Sequence, residues 1–484
     1  MSVPVGSGGA KPRAVVLVAN PAAPYSRGLR IARALVEEGY AVEIAAVAVP
    51  GVPDGEWDGA IEIRRYRPSG PLAFMAASYP GTVLTPGTDV AEVPVDDSEE
   101  STPTGTSRTT AASRLAAALP VPERSRSTLR RIAYFPRLMA GRVKRRGVAL
   151  SRWALWPHTV RGWWRTLGRE LEPADLYHAC GSLTIAPALA ARDRARRSGR
   201  PAIAVYDAID DVFQSNNVLD MPGPLRDWHS RRERRWAQSA DARTTVNEAL
   251  AARLARRWAL DDPPLVVPNY PEVGTLDPAA LDGANGRIRD ELGLPPHTRI
   301  VLFQGRLGPN LGLDEAAEAM LLVPDAAFVL IGFGRWWARS VARDAEPRFA
   351  GRHFTLPARH PDELPVWTAS ADASIVPLPP VSLNQRQSTP NKFWESTAVG
   401  TPVVVGPGLP LMNELVARYE LGAVARSLEP GDLAAAIRSV IDRPPAERAS
   451  WRSTIRATAQ EHFSWTVAAG AYRELVRAAS VRHR

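Results

Sequence analysis

The sequence predicts an α/β protein built from two doubly wound, parallel-sheet domains. Short β-branched runs alternate with helical stretches, and the series breaks near residues 270–298 before it restarts. The length of 484 residues suits three domains or two large ones. The run at 13–19 (RAVVLVA), bounded by Asn20-Pro21, reads as a buried parallel strand. SRGLRIARALVEEGY follows, with Leu29, Ile31, Ala32, Leu35 and Val36 on one helical face and Gly39 as a stop. AVEIAAVAV then completes a βαβ opening. Further strands are expected at 202–206, 242–246 and 264–268, and in the second series at 299–304, 327–331, 373–377 and 401–405. The expected division is a first Rossmann-like domain over 1–270, a second over 271–450 and carboxyl-terminal helices over 451–484. Ligands of such sheets sit at the carboxyl ends of the strands, so two facing sheets put a site in the cleft between them.

Composition narrows the class. Hydrophobic residues make up 45% and charged residues 23%, the mix of a soluble globular chain that needs no disulfide or structural metal. Cys180 is the sole cysteine, which excludes an intrachain disulfide and any Cys-rich metal site. No run of about 20 apolar residues occurs, and the first 13 residues lack a signal-peptide core, so a cytoplasmic protein is expected.

The net charge of +9 is unevenly spread. Residues 124–169 hold 12 arginines and Lys144 without one acid, and the rest of the chain is mildly acidic. This is not a general nucleic-acid binder, and no groove-reading motif accompanies the cluster. Residues 82–127, rich in Pro, Thr, Ser and Gly with six acids between Asp89 and Glu100, read as a disordered insertion. The basic, Trp-rich helical segment 128–169 follows. Its Arg145, Arg146, Trp153, Trp156, Trp163 and Trp164 suit an anionic membrane interface, cations at the headgroups and indoles at the boundary. The alternative is a solvated helical face whose tryptophans pack on the domain.

The chemistry concentrates at 388–405, STPNKFWESTAVGTPVVV. Ser388 or Thr389 is expected to cap a helix, with Pro390 in its first turn and Gly400 at its end. Lys392 and Glu395, three apart, share one helical face, where the lysine could hold a diphosphate and the carboxylate a ribose. The plain alternative is a surface ion pair. Lysine is scarce in this arginine-dominated chain (Lys11, Lys144 and Lys392 only), which marks Lys392 out. Gly305-Arg306 ends a strand, where an arginine points into the cleft and can neutralise an anion, unless it serves a salt bridge elsewhere. Ser26-Arg27-Gly28 follows the first strand, and Gly332-Phe333-Gly334 could let backbone approach a base or form a plain turn.

These motifs, in this order, resemble the family-4 glycosyltransferases of GT-B fold. The resemblance rests on the opening βαβ, DLYHA (175–179), VYDAIDD (205–211), TVNEALAARLARR (245–257), VVPNYPE (266–272), FQGRLGPNLGLDEAAEAM (303–320) and the 388–405 stretch. It covers nearly the whole chain apart from about residues 82–165. The resemblance implies a retaining, metal-independent transferase with no cofactor beyond its nucleoside-diphosphate-sugar co-substrate, and the basic Trp-rich segment adds the expectation of a peripheral place at the inner membrane face. It implies that Arg306 and Lys392 bind the donor diphosphate and Glu395 its ribose, with Gly305, Gly334, Gln387 and Asn391 as further donor-binding candidates. His178, in a His-containing turn, would lie near the transferred sugar and act with Arg306 and Lys392. Ser26, Arg27, Gly28, Asp207 and Asp210 become candidates for acceptor or sugar contacts; for the aspartates, helix capping or loop solvation is the alternative, and for His178 a structural role. The last helix would cross back to the first domain. The acceptor would be lipid-linked or a polysaccharide or glycoconjugate precursor.

Departures are visible. The first Glu of the family's Glu-x7-Glu pair falls on Gln387, a second basic residue on Leu311, a second His on Cys180 and another on Ile209. Two rival readings therefore stand beside the enzyme: a catalytically degenerate partner or scaffold of the same fold, and a sugar-nucleotide epimerase.

Overall fold

The structure is a computed structural model that describes residues 11–22, 26–49, 51–69, 161–215, 218, 221–273 and 278–483. The insertion at 82–127, most of the basic segment, and Arg145, Arg146, Trp153 and Trp156 lie outside the described residues.

Two sheets organise the chain. The first contains β1 (Arg13–Val18), β2 (Ala41–Val47), β3 (Gly55–Asp58), β4 (Ile61–Tyr66), β5 (Leu176–Cys180), β6 (Ile203–Ala208), β7 (Ala242–Thr245) and β8 (Leu265–Val266). Their order is β3-β4-β2-β1-β5-β6-β7-β8, all parallel except the β3–β4 edge hairpin. The second contains β9 (Arg299–Arg306), β10 (Ala326–Phe333), β11 (His353–Pro357), β12 (Ala373–Val376), β13 (Val403–Val405) and β14 (Gly422–Val424), in the order β11-β10-β9-β12-β13-β14. That order reverses between β9 and β12, and the first sheet's between β1 and β5. In doubly wound sheets such switch points open a crevice at the strands' carboxyl ends.

β1 and β9, central in their sheets, are almost wholly buried because helices cover both faces, hence their uninterrupted apolar runs. The Ser26–Glu37 helix lays Ile31, Ala32, Ala34 and Leu35 on the first sheet. Trp465, Ala468, Ala469, Tyr472, Val476 and Ala479 of the last helix (Trp465–Val481) enter the same core. Trp163 and Trp164, on the helical stretch 161–170, correct the membrane reading at these two positions. Trp163 is buried in the first domain's core, and Trp164 donates its indole N–H to the Leu183 carbonyl at 2.8 Å and meets Trp236 edge-on at 5.7 Å. Among the described residues, no helix is long and apolar enough to cross a membrane.

Candidate active site

The carboxyl end of β9 forms one corner of the cleft. Gly305 takes a φ of 106°, accessible to glycine without strain, and Lys392 Nζ lies 3.9 Å from where a Cβ would stand there. Gly334, at φ 122°, folds the end of β10 over this corner. A Cβ there would meet the Leu307 carbonyl oxygen at 2.6 Å and Arg306 Cγ at 3.2 Å, so this glycine lets two strand ends close on each other. Leu311 packs against the domain core.

The Asn391–Ala398 helix brings Lys392 and Glu395 into the same corner. Its start differs from the expectation. Pro390 precedes it in extended conformation, the Ser388 hydroxyl donates to the Gln385 carbonyl at 2.9 Å, and neither Ser388 nor Thr389 caps it. Gly400, at φ 76°, follows its end. Lys392 Nζ sits 3.5 Å from the Phe303 ring centroid. Glu395 accepts from Gln304 Nε2 at 2.7 Å, and the Thr368 hydroxyl donates to Gln304 Oε1 at 2.6 Å. On the opposite face Trp394 packs against Tyr270 and Phe463, ring centroids 4.8 and 5.1 Å away, which anchors the helix.

Lys392 and Glu395 keep partial solvent exposure while enclosed by protein, as residues lining a groove do. Enclosure pushes the Lys392 ammonium down to about 7; Glu395 opposes this and Arg306 adds to it. The same desolvation raises Glu395, against the Gln304 hydrogen bond and the charges of Arg30 and Lys392. A cation held so uneasily beside another is relieved by an incoming anion.

The facing wall adds residues that sequence reasoning missed. Arg30, from the Ser26–Glu37 helix, donates to Asn269 Oδ1, and Asn269 Nδ2 donates to Asn391 Oδ1. Arg30 also lies 5.6 Å from the Trp465 ring. The 3.6-residue period treats Arg30 as a solvated flank, and only VVPNY flagged the Asn269 region. The Gln387 carbonyl accepts from Asn247 Nδ2 at 2.8 Å, while Gln387 Oε1 is buried without a partner among the described residues. Asp210 accepts from Asn384 Nδ2 at 3.0 Å; solvent reaches it although protein surrounds it, and that enclosure, with Asp211 nearby, pushes its carboxyl up.

The first sheet's switch point corrects four expected contacts, Arg27, Gly28, Asp207 and His178, all of them buried. Arg27 and Asp207, 2% and 0% exposed, are bound to each other by two hydrogen bonds of 2.7 Å. Asp207 also accepts from the Thr244 hydroxyl at 2.8 Å, and Arg27 donates to the Val267 carbonyl at 3.0 Å. Burial alone would raise Asp207, but the Arg27 ion pair outweighs it and holds the carboxyl far below the usual range. With no open surface, neither side chain can reach an acceptor. Gly28 is buried beside them. His178 is not in a turn; it lies inside β5, fully buried, with Nδ1 2.9 Å from the Tyr472 hydroxyl and Nε2 3.6 Å from Asp207 Oδ2. Contact with a transferred sugar is closed to it in this conformation. His178, Cys180 and Asp207 bring one ligand atom each within 4.8 Å of one another, but the Arg27 cation already fills Asp207's coordination.

Residues 298–443 match the family described as glycosyl transferases group 1. The chain is 28% identical over 271 residues to a D-inositol 3-phosphate glycosyltransferase of Segniliparus rotundus, covering 54% of this chain and 57% of that one. A protein of the same name from Corynebacterium aurimucosum is 31% identical over 201 residues, 39% of this chain and 45% of that one. The chain thus spans about half the length of these curated relatives. Among solved structures, the sucrose-phosphate synthase of Thermosynechococcus elongatus superposes with a TM-score of 0.59 at 15% identity, over 96% of this chain and 98% of that one. Anabaena HepE, in complex with UDP and glucose, gives 0.56 at 15%, over 96% and 99%. The chain is therefore a GT-B-fold protein related to the family-4 glycosyltransferases, with a group 1 glycosyl transferase match within its carboxyl-terminal half.

Proposed function

We propose that this protein is a retaining, metal-independent glycosyltransferase that moves a sugar from a nucleoside diphosphate to a glycan or lipid-linked acceptor. The observation that carries the reading is the corner at the second sheet's switch point that encloses Lys392 and Glu395, with Arg306 at the end of β9 near enough for its charge to act on Lys392. Arg306 and Lys392 hold the diphosphate, and Glu395, oriented by Gln304, accepts the ribose hydroxyls. As the bond from the sugar's anomeric carbon to the phosphate oxygen breaks, negative charge grows on the leaving diphosphate and the sugar becomes oxocarbenium-like. Fixed cations matched to that charge favour the transition state over the bound substrate. The acceptor oxygen attacks from the same face, and its proton passes to the departing phosphate, so no strong protein base is required. His178 plays no direct part. The charge of 124–169 supports docking at the cytoplasmic face of an anionic membrane, where a lipid-linked acceptor would be met. Charge reversal at Arg145 and Arg146 is expected to weaken binding to anionic vesicles, and unchanged binding removes that part of the proposal.

The test is a panel of nucleotide sugars screened by thermal shift, then by product analysis, with wild type and Lys392→Ala. The reading expects a donor-dependent rise in melting temperature and turnover, both lost in the variant. Binding without turnover on any donor and acceptor would favour the scaffold.

A further inference from the structure

The short turn at 383–388 lies between β12 and the Asn391–Ala398 helix and touches both walls of the cleft. Asn384 uses its whole amide on the amino-terminal domain: Oδ1 accepts from the Asp211 backbone N–H at 2.8 Å, and Nδ2 donates to Asp210 Oδ1 at 3.0 Å. Because a backbone N–H can only donate, it fixes which end of the amide is oxygen. Asn247 is also used twice. Its Oδ1 caps the Glu248–Trp258 helix by accepting from the Leu250 N–H at 2.9 Å, and its Nδ2 donates across the cleft to the Gln387 carbonyl at 2.8 Å. From the other side, Gln385 Nε2 donates to the Asn310 carbonyl at 2.8 Å, in the glycine-rich loop after β9.

The amino-terminal half of this contact is rigid. Asp211 is fully buried and paired with Arg253 at 2.7 Å and with Arg257, so its backbone N–H has a fixed position. Separating the domains at this point breaks three hydrogen bonds or drags the turn away from the glycine-rich loop.

We propose that Asn384 and Asn247 are positioning residues that latch the 383–388 turn to the amino-terminal domain, so that cleft closure and the placement of Gln387 are one event. The latch stands on these contacts alone; its catalytic consequence rests on the donor-site reading, in which the buried, unpartnered Gln387 Oε1 awaits a sugar hydroxyl. Neither asparagine touches the diphosphate corner.

The test uses the full chain with Asn384→Ala and Asn247→Ser, the latter keeping a good cap residue while losing the reach to Gln387. Dyes at Asp261→Cys and Asp325→Cys, both exposed and one in each domain, report interdomain distance; Cys180 is buried. The latch predicts lower transfer efficiency between the dyes in both variants without ligand. It further predicts UDP binding kept within about threefold and kcat down about tenfold at little-changed donor KM. Unchanged dye distance in Asn247→Ser overturns the latch, even if Asn384→Ala fails to fold. A changed distance with full kcat overturns the positioning role. If wild type binds no nucleotide, the donor reading fails, while the dye distances still decide the latch.

Discussion

The two switch points of this molecule share a topology and differ in what their charges do. At the first, between β1 and β5, Arg27, Asp207 and Thr244 bond one another in a sealed cluster, with His178 Nε2 3.6 Å from Asp207 and its Nδ1 tied to the last helix through Tyr472. At the second, between β9 and β12, Lys392 has an aromatic face beneath it, a second cation, Arg306, near enough to act on it by charge, and part of its surface open to solvent. Both positions favour ligands by topology. Only the second leaves an electrostatic demand unmet. A charged residue at a switch point is thus informative about binding only once its partners are counted.

The largest expected effect breaks the sealed cluster. Arg27→Ala leaves Asp207 buried without its cation and should cost ~3–5 kcal/mol, or prevent folding, as measured by denaturant unfolding. A loss under 1 kcal/mol would mean the cluster is not structural. Because Asp207's carboxyl is depressed in the folded state, its stabilisation is complete above the usual carboxylate range and fades as pH falls through it.

The mirror experiment is Lys392→Met, with transfer expected to fall by about 10²–10³. Stability should move the other way. The Lys392 ammonium is depressed to about 7 from 10.5, so burying it as a cation is costly below about 7, and that cost fades as pH rises towards 10.5. Lys392→Met should therefore raise the melting temperature more at pH 6 than at pH 9. A lowered melting temperature at pH 6 would make Lys392 a structural residue like Arg27.

The smallest effect is expected at the tie between the last helix and the sheet. Tyr472→Phe removes one hydrogen bond to His178 and should cost ~1 kcal/mol in chemical denaturation, with donor KM unchanged. A large rise in KM would show that the sealed cluster reaches the donor.

Much of the frame was legible because buried parallel strands write themselves as β-branched runs, as in RAVVLVA and RIVLFQ. The short edge elements were not. GEWD pairs as half an antiparallel hairpin and HFTLP is only partly buried, so neither carries a strong apolar signal. Lys392 and Glu395 stood out through helical spacing and the rarity of lysine. Arg27 and Asp207 did not reveal each other because 180 residues separate them. Nothing local says that His178 lies within a strand rather than after it, or that Asn384 and Asn247 meet the opposite domain. Such pairings belong to tertiary contact, which one-dimensional patterns do not encode.

In the proposed reading, a diphosphate supplies the negative charge that the enclosed Lys392 lacks. Calorimetry of UDP binding between pH 6 and 9, in buffers of different ionisation enthalpy, tests it directly. Around and above pH 7 the free lysine is increasingly neutral, and phosphate contact favours its charged form. Binding should take up a proton, approaching one per UDP, with affinity falling as pH rises and the slope flattened in Lys392→Arg. Tight UDP binding with no proton uptake across this range, identical in both proteins, would mean that Lys392 does not hold the diphosphate.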